Sequence, residues 1–226
     1  MMAGRPSSKT YARLDTVKPM RSIVLISIFA AASLSAASWK QLFNGKDLSG
    51  WQMTGPGAFT VENGTLQTSG GMGLLYFKDK AFANASIRVV FKTTGERGNS
   101  GVFIRLPEKP KDPWYGVHNG FEVQIDSGGD EWHRTGAIYS LSKAVGDWKQ
   151  KPAGEWNTME IQLKDKTTTV FLNGKKVNEY TDGQPVPERK AWYEPVRGPR
   201  PHSGYIGIQN HDAKSIVVFK EISVKE

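Results

Sequence analysis

Gly120-Phe-Glu-Val-Gln-Ile-Asp126 places an apolar residue at every second position, Phe121, Val123 and Ile125, with Glu122, Gln124 and Asp126 alternating between and after them. A strand points successive side chains to opposite faces, so one face of this segment suits a core and the other carries two carboxyls and an amide. A solvated strand face is usually built from Lys, Thr and Ser. Three groups able to bind or exchange protons in a row point instead to the floor of a cleft. An ordinary half-buried antiparallel strand with a wet outer face has the same alternation.

Two further segments repeat the pattern. In Gly98-Asn-Ser-Gly-Val-Phe-Ile-Arg105, Val102 and Ile104 face one way while Asn99, Gly101, Phe103 and Arg105 face the other. In Tyr205-Ile-Gly-Ile-Gln-Asn-His-Asp212, Ile206 and Ile208 alternate with Gly207, Gln209 and His211. If the three strands share a sheet, Arg105, Glu122, Gln124, Asp126, Gln209 and His211 meet on one face. The glycines there are expected to leave room for a ligand near the backbone.

Outward from these strands, the chain reads as short strands separated by turns. Strand signals at 59–62 and 65–68 flank Asn63-Gly64, and those at 167–172 and 175–179 flank Asn173-Gly174. Asn-Gly accepts the positive φ angles of a type I′ turn, so both mark hairpins. Further strands are expected at 73–77, 86–94, 100–105, 136–139, 158–164, 205–210 and 215–224, and no stretch shows a long helical period. Many short strands joined by hairpins indicate an all-β, two-sheet antiparallel sandwich. The three long connections are 106–118, 141–155 and 181–203. They are rich in proline and aromatic residues, including Trp114, Trp148, Trp192 and Tyr193, and are expected to form the cleft rim. Flat rings beside carboxylates and amides suit sugars, although some of these rings serve to pin loops.

The 226-residue chain contains no Cys, which excludes disulfides, a thiol nucleophile and a Cys-ligated metal. Its formal charge is +8, but residues 1–37 hold five Lys/Arg against one Asp, a net +4, leaving 8 − 4 = +4 for the remainder. No basic run stands out, so nucleic acid is excluded as the expected partner. Lys18 and Arg21 precede an apolar run from Ile23 to Leu34 and then Ser35-Ala36-Ala37, the pattern of a secretory signal peptide. The expectation is an N-terminal extension and signal peptide over 1–37, starting at Met1 or Met20, and one domain over 38–226. The product would be exported to the bacterial periplasm or exterior as a monomer without a stable membrane anchor.

At this point the chain resembles a known family. Leu42-Phe-Asn-Gly-Lys-Asp-Leu-Ser-Gly-Trp51 is similar to the opening motif of the 3-keto-disaccharide hydrolase domain family, formerly a domain of unknown function. The similarity runs on through Gly98-Asn-Ser-Gly101, Arg105, Phe121–Asp126, Thr135-Gly-Ala-Ile-Tyr139, Lys151-Pro-Ala-Gly-Glu-Trp-Asn157 and Gly207–His211. The resemblance implies a concanavalin A-like jelly roll. It also implies an exported enzyme that cleaves glycosides already oxidised at the 3-hydroxyl.

The residues fit ordinary glycosidase chemistry poorly. Paired catalytic carboxylates stand about 5–5.5 or 6.5–9.5 Å apart, whereas the Cα atoms of Glu122 and Asp126 are ~13 Å apart on an extended strand. A 3-keto sugar needs less. Its ketone acidifies the C2 proton, so a base can remove it, an electrophile can hold the enolate, and the aglycone leaves before water adds. Glu122, Asp126 and His211 are candidates for base and acid, and Arg105 or a divalent metal is the candidate to hold the enolate. Asn99, Gln124 and Gln209 on the floor, Tyr139, and the rim rings Trp114, Trp192 and Tyr193 are the expected contacts to a small carbohydrate ligand. The alternative is a non-catalytic carbohydrate-binding or adhesion module of the envelope.

Overall fold

The computed structural model describes residues 38–146 and 149–226. The signal peptide expected over 1–37, and Trp148, lie outside them. Along the chain run β1 (Lys40–Gln41), β2 (Trp51–Thr54), β3 (Ala58–Glu62), β4 (Thr65–Ser69), β5 (Gly73–Phe77), β6 (Ala85–Thr93) and β7 (Asn99–Leu106). A short helix α1 (Trp114–Asn119) follows, then β8 (Phe121–Asp126), β9 (Asn157–Lys164), β10 (Thr167–Leu172), β11 (Lys175–Thr181), β12 (Tyr205–Asn210) and β13 (Val217–Lys225).

Among the described residues these strands form two antiparallel sheets. The larger has the order β11-β10-β9-β6-β13-β4-β3, with β1 also on β13; the smaller has the order β2-β5-β12-β7-β8. This is the expected all-β jelly-roll sandwich. Both Asn-Gly pairs form the turns of hairpins, with Asn63 and Asn173 at φ 49° and their glycines at φ 74° and 80°. No helix among the described residues is long and apolar enough to cross a membrane.

The alternation seen in the sequence decides which side chains meet between the sheets. Val102, Ile104, Phe121, Val123, Ile125, Ile206 and Ile208 of the smaller sheet join Ile87, Val89, Phe91, Met159, Ile161 and Phe219 of the larger in one buried cluster. Burying an aliphatic or Phe side chain is worth about 1.5–3 kcal/mol, so this layer carries the sandwich. The opposite face of the smaller sheet holds a second, smaller cluster of Leu74, Tyr76, Phe103, Leu106 and Val117. Val117 belongs to α1, so the helix caps that face. It approaches closely because Gly116 has no side chain: a Cβ there would lie 3.1 Å from the Phe103 ring.

Two departures from the sequence reading shape this face. First, β7 carries a bulge: Gly207 pairs with Phe103 but Tyr205 pairs with Leu106, so β7 has one residue more than β12 across the gap. Arg105, at φ 55°, lies in that bulge, and Leu106 takes up the outer face in its stead. Second, 136–139 is no regular strand. Gly136 (φ 90°) and Ser140 (φ 55°) break it at both ends. It still runs beside β8, with Gly136 N and Tyr139 N donating to the carbonyls of Gln124 and Glu122. That covers an edge that would otherwise be open.

Candidate functional site

Three neighbouring strands of the smaller sheet supply the floor of a cavity of about 460 Å³. From β8 come Glu122, Gln124 and Asp126, from β7 Asn99, and from β12 Gln209, with His211 just beyond its end. The walls are Trp114 and Val117 of α1, His133 and Tyr139 from the segment after β8, and Trp192, Tyr193 and Glu194 from the long connection after β11. All the expected site residues except Arg105 line this one cavity.

Arg105 is a correction. The bulge turns its side chain away from the cavity, where it is 1% exposed. Its Nη2 donates to the carbonyl of Asp165 in the β9–β10 turn at 2.6 Å and to that of Thr167 at the start of β10 at 3.4 Å. Burial lowers its pKa, against the pull of Asp182 and Asp165. It binds the two sheets together and cannot hold an enolate in the cavity. The glycines are a second correction. A Cβ on Gly101 would lie 2.3 Å from Glu122 Oε1, and one on Gly207 would lie 2.7 Å from Leu74. The room they leave is filled by neighbouring side chains rather than kept for a ligand.

Glu122 is the most perturbed group on the floor. It is 4% exposed, and desolvation pushes its carboxyl up from 4.5 to about 8, opposed only by a hydrogen bond from the Gln209 side chain. Burial also raises the Asp126 carboxyl, countered by the Gly128 backbone N–H, which donates to its Oδ1 at 2.8 Å, and by the nearby charge of His211. Tyr139 is pushed up to about 12, first by burial and then by Glu122, Glu194 and Tyr193, so its phenol stays an O–H donor at neutral pH. Between them, Gln124 Nε2 donates to Asn99 Oδ1 at 3.2 Å. The acyl oxygens of Gln124 and Gln209 are buried with no hydrogen-bond partner among the described residues. Such atoms are uncommon in a folded interior, and two on one cavity floor mark a place for ligand hydroxyls or water.

The rim is held as a unit. Trp114 and Trp192 pack at 4.7 Å between ring centroids, and Tyr193 meets Trp192 edge-on at 5.9 Å. His118 Nε2 lies 3.0 Å from the carbonyl of Trp192, tying the loop to α1. Arg200 strengthens the tie by donating to the carbonyls of Gly120 at 3.1 Å and His118 at 3.0 Å.

The sequence matches the family described as the 3-keto-alpha-glucoside-1,2-lyase-like domain over residues 38–225. The chain belongs to that family. Among solved structures, this member of the 3-keto-alpha-glucoside-1,2-lyase-like family is similar to two candidate glycosyl hydrolases from Parabacteroides distasonis ATCC 8503. The first is 29% identical, with TM-score 0.69, covering 83% of this chain and 98% of that one. The second is 25% identical, with TM-score 0.68, covering 83% and 93%. The carbohydrate-binding module CBM66 from Bacillus subtilis shares the fold at 14% identity and TM-score 0.54, covering 78% and 96%. A comparison with curated proteins finds no match.

The divalent metal considered from the sequence finds no ligand set. Among the described residues no three His, Asp or Glu side chains gather so as to hold an ion. Glu122, Asp126 and His211 share the cavity without converging. His133 and Glu194 escape a strand-based reading of the sequence because they sit in loops without periodicity. Their only signals are local: Asp130-x-x-His133, where His133 Nδ1 lies 2.7 Å from Asp130 Oδ1, and Glu194-x-x-Arg197, an ion pair at 2.8 Å.

Proposed function

We propose that the domain cleaves 3-keto-glycosides, 3-keto-disaccharides among them, by elimination across C1–C2 followed by hydration. The observation that carries this reading is the buried Glu122 carboxyl, lifted to about 8 at the bottom of a cavity whose floor is otherwise rich in amides. A sugar-binding module gains nothing from such a group, whereas a base meant to remove a carbon-bound proton near neutral pH gains strength from it. Membership of the lyase-like family and the glycosyl-hydrolase relatives support the same reading.

In this scheme Glu122 takes the C2 proton. Negative charge then builds on the 3-keto oxygen, and the Tyr139 phenol, un-ionised, donates to it; the Gln209 amide is a second donor on the same floor. Asp126 and His211, close enough to influence one another, are the groups that hand a proton to the departing glycosidic oxygen. Water then adds to the enone. No step runs through a metal or through Arg105. Export to the periplasm or beyond is part of this proposal, supported by the basic, apolar and small-residue order from Lys18 to Ala37.

The deciding experiment gives purified protein a 3-keto-disaccharide and its unoxidised parent. The expected result is release of the leaving sugar from the keto substrate alone. Equal binding of both with no turnover of either would reduce the domain to a sugar-binding module.

A further inference from the structure

We propose that Glu194 is the acceptor that reads one hydroxyl of the bound sugar, and that Arg197 is the positioning residue that aims it. The inference rests on the sugar-directed reading above. Glu194 stands on the wall between the main cavity and an adjoining one of about 260 Å³ lined by Trp132, Pro187 and Lys190. Its side chain is 13% exposed. Arg197 Nη2 donates to its Oε2 at 2.8 Å, and the Lys190 backbone N–H donates to the same oxygen at 3.2 Å. Oε1 has no partner among the described residues and stays accessible on the wall. A carboxylate fixed by one oxygen and open at the other is a directed hydroxyl acceptor.

Arg197 can hold it because the rest of the guanidinium is engaged. Nε donates to the carbonyl of Pro187 at 2.8 Å, Nη1 to that of Pro195 at 2.6 Å, and Nη2 also reaches Ser140 O at 3.3 Å. The fork therefore stitches the loop bearing Glu194 to the segment bearing His133 and Tyr139. Lysine cannot reproduce that planar set of contacts. The pairing also cancels the charge of Glu194, so the wall suits a neutral hydroxylated ring better than a cationic or anionic ligand.

The test uses a 3-keto-disaccharide and the series of analogues that each lack one hydroxyl. Binding is read by calorimetry and turnover by product release. Wild-type protein is expected to disfavour one analogue by about 10- to 100-fold, the worth of a hydrogen bond to a charged acceptor. Glu194→Ala should abolish that single discrimination and leave the ratios for the other analogues intact. Arg197→Lys should weaken the same discrimination and raise KM with kcat largely kept, a split that a merely structural role would not produce. Thermal melting confirms that each variant is folded, and Glu194→Gln stands in if the alanine variant is not. Discrimination lost in binding while no substrate is turned over would refute the elimination chemistry yet support this inference. No discrimination by wild type at any hydroxyl, or a pattern unchanged in the Glu194 variants, overturns it.

Discussion

The Glu122 carboxyl occupies the space that a side chain on Gly101 would fill: an added Cβ would come within 2.3 Å of Oε1 and 2.7 Å of Cγ. The two residues are diagonal neighbours across the β7–β8 pair, where Gly101 opposes Gln124 and Phe103 opposes Glu122. Gly101→Ala is therefore expected to drive the carboxyl from its place without breaking the strand. Misplacing a reacting group by about 1 Å can lower rate ~100-fold, and overpacking a buried site costs about 1–3 kcal/mol. Steady-state kinetics and thermal melting should both register the change. Wild-type kcat with an unaltered melting point would show that Glu122 does not need this space.

The raised Glu122 pKa has consequences for pH. Between 4.5 and about 8 the folded protein keeps a proton that the unfolded chain has released. The unfolded state binds fewer protons there, so stability falls as pH rises through that window and levels off above it. Each pH unit crossed inside the window costs about 1.4 kcal/mol, giving a decline of a few kcal/mol. Glu122→Gln should flatten this slope in denaturant melts run from pH 5 to 9. Activity should run the other way, with kcat/KM rising as the base ionises towards pH 8 and falling by about 10²–10⁴-fold in the variant. A Glu122→Gln enzyme with wild-type turnover would remove the base from the scheme.

Arg105 is predicted to matter for stability and not for chemistry. Its guanidinium is buried between the sheets, and its Nη2 donates to the carbonyls of Asp165 and Thr167. Arg105→Met should cost about 1–3 kcal/mol through loss of charged hydrogen bonds. Turnover by the folded variant should stay within a few-fold of wild type. A large fall in kcat with KM and melting point unchanged would return Arg105 to the active site.

The contrast between Arg105 and Glu122 shows how far the sequence could be read. Strict alternation places Phe121–Asp126 correctly because β8 is regular along its whole length and its period is enforced by a core on one side. The same rule applied to β7 fails near its end, because one bulged residue inverts the facing of the residues after it and bulges leave no periodic trace. The Asn-Gly hairpins are legible because the turn chemistry is local. Tyr139 is found through a motif rather than a strand pattern, and the segment holding it is too irregular for one. Glu194 and His133 are invisible for a related reason: loops bring residues together through tertiary contacts that spacing does not encode.

Export is expected to end with cleavage after Ala37, on the strength of the basic, apolar and small-residue order from Lys18 to Ala37. Intact-mass analysis of protein recovered from outside the cytoplasm should give Ser38 as the first residue. A mass that includes the leader would contradict this.

The rim offers the last prediction. Trp192 is 64% exposed and Tyr193 47%, unusual for large rings beside a polar cavity. Both belong to a loop tied down by Arg200, by His118 and by the tilted packing of Trp192 against Trp114, so their position is set without burial. A ring held in the open at a cavity mouth is a platform for the apolar C–H face of a sugar. Trp192→Ala should weaken binding or raise KM by the equivalent of about 1–3 kcal/mol, as for other hydrophobic contacts to a substrate. Its kcat should change less, because the rings it meets are those of Trp114 and Tyr193, and neither is assigned a proton-transfer role. Trp114→Ala should do more harm, since it removes both a wall and the partner on which Trp192 rests, and the paired substitutions should be less than additive. Tryptophan fluorescence titration of each variant with substrate or its unoxidised parent gives the affinities. If Trp114, Trp192 and Tyr193 can each be replaced by Ala with affinity intact, the sugar does not sit against this rim.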